Sequence, residues 1–135
     1  MKKHKGQVIV EFALILPLFL LILYGVIYSG MMFHDYSTLS NIARASAREA
    51  AITGNLLASG ERYTTIETHY DGMLDNLLTS LYAKDGTNPI VIQQIGTDGV
   101  RTTINLTLTV RGYFIDMILP PSFGVQYYMR KEPTS

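Results

Sequence analysis

The chain has 135 residues, 11 basic and 11 acidic side chains, and no cysteine. That length holds one modest domain beside any anchor, and the balanced charge offers no clustered basic face for a nucleic acid. The lack of cysteine excludes disulfides, lipobox processing, thiol catalysis and thiolate zinc sites.

Three of the basic residues, Lys2, Lys3 and Lys5, stand with His4 in a short leader. Gly6 follows at once, then Glu11, then Phe12. From Phe12 to Phe33 there are 22 residues without a charge, 13 of them Leu, Ile, Val or Phe. As a helix this run spans about 33 Å, enough for a hydrocarbon core of about 30 Å. The 13 strongly apolar residues favour insertion by about 4–8 kcal/mol, an upper bound because the scale applies at the bilayer centre. That margin tolerates Pro17, Gly25, Gly30 and, at the edge, Glu11. A basic leader keeps the N-terminus cytoplasmic, so the rest of the chain is expected on the outer side of the membrane. A cleaved secretory signal fits less well. Its apolar region would be shorter, and the small-x-small sites at Ala43–Ala45 and Ala45–Ala47 lie far beyond this one.

His34 to Thr53 contains neither Pro nor Gly and continues the helix. Tyr36, Leu39, Ala43, Ala47 and Ala50 recur on one face, and the small residues Ala43, Ala47 and Ala50 allow another backbone to approach closely. Arg44, Arg48 and Glu49 lie to a different side. Gly54-Asn55 is a helix stop. One helix is therefore predicted over about residues 7–53. After a loop with Ser59 as N-cap, Glu61–Lys84 reads as an amphipathic helix, with Tyr63, Ile66, Tyr70, Met73, Leu74, Leu77, Leu78 and Leu81 on one face. Lys84-Asp85-Gly86 and Asn88-Pro89 end it. Pro89–Ile95 and Arg101–Arg111 read as strands joined at Asp98-Gly99, with Ile104, Leu106, Leu108 and Val110 facing one way. Val125–Arg130, after Pro120-Pro121, supplies a third strand. The fold class is α+β: a long N-terminal transmembrane-to-periplasmic helix, then one amphipathic helix on a short antiparallel sheet of about three strands. The expected divisions are leader 1–6, transmembrane helix 7–33, its periplasmic extension 34–54 and a small domain 55–135.

The leader, Gly6, Glu11 five residues on, the apolar helix, and Asn41, Ala43, Arg44, Ala47, Arg48 and Ala50 beyond it together resemble the TadE-like family. The ending Tyr128-Met129-Arg130-Lys131-Glu132 is similar to the family's as well. These are pseudopilins of the tight-adherence, Flp-type pilus assembly system, and the close match covers Gly6 to about Thr53. The resemblance implies cleavage by a prepilin peptidase between Gly6 and Gln7. It also implies a minor or priming role in the pilus, with other pilins and the assembly machinery as partners. By the same resemblance Glu11, with Phe12 after it, sets helix register: its carboxylate pairs with the new Gln7 amine of a neighbouring subunit. Pro17 is then a point where the helix adapts on leaving the bilayer, or an ordinary transmembrane proline.

Other readings compete. Glu11 could simply snorkel to headgroups, and Gly6 could be a flexible residue before a helix. His69, Asp71 and Asp75 do not share one helix face, which favours a solvated polar surface over a metal site. The nine tyrosines suit core packing and the membrane interface. No serine–histidine–aspartate order, phosphate loop or zinc helix motif is present. No enzymatic activity, cofactor, metal, nucleic acid or small-molecule substrate is expected. The alternative is an uncleaved single-pass membrane protein whose outer domain binds a ligand or partner.

Overall fold

The computed structural model describes residues 3–53, 57–86, 89–110 and 112–131. Several expected features lie outside them: Met1 and Lys2 of the leader, the stop at Gly54-Asn55, Leu56, Asn88, Arg111 and Glu132.

Helix α1 runs unbroken from Lys3 to Ile52, through Pro17. Its 50 residues make a rod of about 75 Å. The rod has two characters. No part of its apolar window is buried inside the protein. From Tyr28 onward the protein's own domain covers one side: Tyr28, Met31 and Met32 are partly buried, Leu39, Ile42, Ala43 and Ala50 belong to the core, and Ala47 is fully buried beside them.

Helix α2 is Thr64–Leu77. The sheet has four strands, β1 (Tyr82–Lys84), β2 (Ile90–Ile95), β3 (Gly99–Leu108) and β4 (Ser122–Arg130), with a short helix α3 (Tyr113–Ile118) before the last. β3 is the central strand. β4 pairs antiparallel along one edge of it, from Gly99↔Arg130 to Thr107↔Ser122. The other edge is shared by β2, pairing with Gly99–Ile104, and β1, pairing with Leu106–Leu108.

Alternation decides which face is dry. Val100, Thr102, Ile104, Leu106 and Leu108 of β3 and Ile90, Ile92 and Gln94 of β2 are buried, while Arg101 and Asn105 are exposed. The expected alternation of β3 is thus present. One cover is larger than expected: α1 lies over β3 and β4, and α2 lies over β2 and against α1. Ala43 and Ala47 are fully buried, so their small side chains let the rod sit close to the sheet.

The structure corrects five local expectations. α2 stops at Leu77, not Lys84, because Leu78 is extended and Thr79 is held by Asp35 of α1. A tertiary contact overrides the helical period, and Leu81 reaches the core from a turn while Tyr82–Lys84 becomes β1. The buried stripe of α2 is correspondingly narrow, Ile66, Tyr70 and Leu74, with Met73 and Leu77 exposed. Ser59 does not cap α2; its hydroxyl accepts the Gly96 amide at 3.1 Å. The hairpin between β2 and β3 turns through Gly96–Asp98, not Asp98-Gly99, with Gly96 at φ 64°. The last strand starts at Ser122, three residues before the expected Val125, and the sheet has a fourth strand, β1, which three residues could not announce by alternation.

Candidate membrane anchor and assembly helix

The residues singled out in the sequence divide along α1. Gly6, Gln7, Glu11, Phe12 and Pro17 all lie on its bare half and are exposed. Phe12 has 64% of its surface open. Glu11 has no hydrogen-bond or ion-pair partner among the described residues. A Cβ built at Gly6 meets nothing within 4 Å, so this glycine leaves the backbone accessible without being required by packing. Ala43, Ala47 and Ala50 lie on the covered half, all fully buried, where α1 packs against β3 and β4 of the same chain.

The bare half is apolar all round. Val8, Ile9, Leu14, Leu18, Phe19 and Ile22 are each more than half exposed. An isolated surface of that size in water is an aggregation liability, whereas in a bilayer it is ordinary. Tyr24 and Tyr28 stack one turn apart, ring centroids 6.4 Å apart, near the level where the domain begins. Amphipathic rings concentrate at that level of a membrane span.

The rod is fixed to its domain by polar ties as well as by the core. Asp35 is fully buried and accepts the Thr79 amide at 2.9 Å and the Thr79 hydroxyl at 2.6 Å. Glu49, further along α1, accepts the Tyr70 hydroxyl of α2 at 2.8 Å. Burial, reinforced by this carboxylate, pushes the Tyr70 phenol up to about 12. Ser46 donates to Thr102 of β3 at 3.3 Å. The Arg44 guanidinium lies 5.9 Å from the centre of the Tyr127 ring of β4. Burial, with the nearby charge of Asp35, also raises the Tyr82 phenol.

A second group joins α2 to the sheet. Glu67 accepts the buried Ile92 amide at 2.7 Å and the Arg62 guanidinium at 2.7–3.2 Å. That hydrogen bond raises the Arg62 pKa further and keeps it charged. Asp71 and Asp75 both bind Lys84 Nζ, at 3.0 and 2.8 Å. The hydrogen bond to Asp75 is the largest cause of the raised Lys84 pKa. The two carboxylates are therefore ion-paired with β1, and no group of three metal-ligating side chains occurs among the described residues.

Asp35 and Glu67 were not singled out from sequence, and Glu49 was read only as lying beside Arg44 and Arg48. Asp35 did carry a signal: it is the first acidic residue after the apolar run. Its partner Thr79 is 44 residues away, beyond the reach of local pattern.

No curated protein and no solved structure matches the chain. A family model described as TadE-like protein matches residues 6–48. The matched segment begins at Gly6, takes in Glu11 and the whole apolar half of α1, and ends within the covered half. Over residues 6–48 the N-terminal helix of this chain is accordingly similar to the TadE-like family.

Proposed function

We propose that the protein is a pseudopilin of a tight-adherence, Flp-type pilus, held in the inner membrane by α1 with its domain on the outer side, and cut by a prepilin peptidase after Gly6. The family match over residues 6–48 carries this reading, because it supports an association with the pilus system. The exposed Gly6–Gln7 junction and the bare apolar rod are compatible with a peptidase substrate and with lateral packing among similar helices. In such packing Glu11, without a partner in its own chain among the described residues, pairs with the Gln7 amine of a neighbouring subunit. A protonated amine suits that role at neutral pH, because such groups titrate near about 8. Removing one partner of a buried pair costs about 3–5 kcal/mol, which would also set the register between subunits. The role is structural, not catalytic.

Substituting Gly6→Leu and Glu11→Ala in the native host tests this. The reading expects Gly6→Leu to leave a longer, uncut protein. It expects Glu11→Ala to be cut yet to fail to join pili. Normal protein size and normal pili with Gly6→Leu overturn the reading in favour of an uncleaved single-pass protein.

A further inference from the structure

The connection between β3 and β4 points back along α1. Tyr36 of α1 lies beside Phe123 of β4, ring centroids 6.3 Å apart, and Arg44 lies beside Tyr127. β4 therefore runs in the same direction as α1, and the residues just before Ser122 stand at the level of α1 residues before Tyr36. The groove between them agrees: Ile115, Ile118 and Leu119 face Pro17, Leu20, Leu21, Tyr24, Gly25 and Tyr28 across an open apolar groove of about 480 Å³. The α1 side of the groove extends from Pro17 to Tyr28, about 16 Å.

This places α3 beside the half of α1 that is long and apolar enough to cross a bilayer. α3 presents carbon both to the groove and away from it: Ile118 is 48% exposed and Met117 81%. Its one charge, Asp116, is exposed. A carboxylate is expensive at mid-bilayer and much less so near the headgroups, which limits the depth. One wall of the groove is the spanning helix itself, so the apolar surface of α3 is continuous with the surface that faces lipid.

We propose that α3 enters the leaflet on the domain's side of the membrane, and that phospholipid acyl chains fill the groove between α3 and α1. The domain is then seated against the bilayer at two points, the rod and this short helix, and its orientation to the membrane is fixed. The proposal rests on α1 spanning the bilayer; it does not depend on cleavage after Gly6.

The chain lacks cysteine, so single labels can be placed without background. An environment-sensitive fluorophore is attached to Met117→Cys, Ile118→Cys, Leu14→Cys and Thr97→Cys variants of the full chain. Each is reconstituted at low protein-to-lipid ratio in phosphatidylethanolamine–phosphatidylglycerol vesicles, with or without lipids carrying a nitroxide near the top of the acyl chain. Lipid-borne quenching at Met117→Cys and Ile118→Cys is expected to be at least about three-fold greater than at Thr97→Cys, with aqueous iodide showing the reverse order. Iodide quenching at Met117→Cys equal to that at Thr97→Cys overturns the proposal. So does protection from both quenchers, which would mean that protein, a second copy included, covers α3. Leu14→Cys reads the span separately: absence of lipid quenching there overturns the anchor and this proposal together, and leaves the processing test unaffected.

Discussion

Thr79 donates both its backbone amide and its hydroxyl to the buried carboxylate of Asp35, at 2.9 and 2.6 Å. This fork ties α1 to the turn after α2, just beyond the level where the domain begins to cover the rod. It ends α2 at Leu77, leaving Leu81 to reach the core from a turn and Tyr82 to enter the sheet. Asp35→Ala removes both acceptors and leaves the Thr79 amide unsatisfied. The expected loss is about 2–4 kcal/mol, on the scale of hydrogen bonds to a charged group. Asp35→Asn keeps one carbonyl acceptor and should lose about half as much. Denaturant unfolding of the detergent-solubilised protein measures the difference.

Glu67 is the equivalent tie between α2 and β2. Arg62 is 32% exposed, so its pairing is partly screened, whereas the Ile92 amide is buried. The backbone bond should therefore matter more than the ion pair. Glu67→Gln retains an acceptor for Ile92 and is expected within about 1 kcal/mol of the parent. Glu67→Ala strands the amide and should cost about 2–3 kcal/mol. Hydrogen exchange at Ile92 should accelerate in Glu67→Ala only.

Tyr70 gives the fold an alkaline limit. Its phenol is raised from 10.0 to about 12 by burial and by the Glu49 carboxylate. A group whose folded pKa is raised contributes stability that is complete below the unfolded pKa. That contribution is lost as pH climbs through the folded value. The loss falls between pH 10 and pH 12 and amounts to at most about 3 kcal/mol. Phenolate absorbance should show a late-titrating tyrosine that Tyr70→Phe removes, and stability of that variant should fall less steeply over the same window.

Two glycines in the sheet should respond differently to alanine. A Cβ at Gly124 would stand 2.9 Å from the Ile104 carbonyl and closer still to the Asn105 side chain. The backbone contact cannot move aside cheaply, so Gly124→Ala should cost about 1–3 kcal/mol. At Gly99 the obstacle is the Tyr128 ring, which is 56% exposed and free to swing outward. Gly99→Ala should change the unfolding midpoint little.

The sequence is most legible where one physical requirement dominates. An uncharged run of 22 residues has few structural uses, and the alternation in β3 is unbroken from Val100 to Leu108 apart from Thr102, which is buried on the apolar face. The Ala43–Ala47–Ala50 face was visible as a small-residue stripe; its neighbour, the chain's own sheet, was not. Leu81 had the right period for α2 but serves the core from a turn, because period cannot distinguish a helix from a chain pulled aside by Asp35. α3 was invisible for a different reason. Six residues between Gly112 and Leu119 are too few to establish a period, and their placement depends on β4 running alongside α1.

The central claim is that α1 is trimmed at its basic end before the protein takes up its role. Intact mass and N-terminal sequencing of the protein purified from its native host test it directly. The account predicts a chain that begins at Gln7 and lacks the first six residues. A population that begins only at Met1, in cells making normal pili, contradicts it.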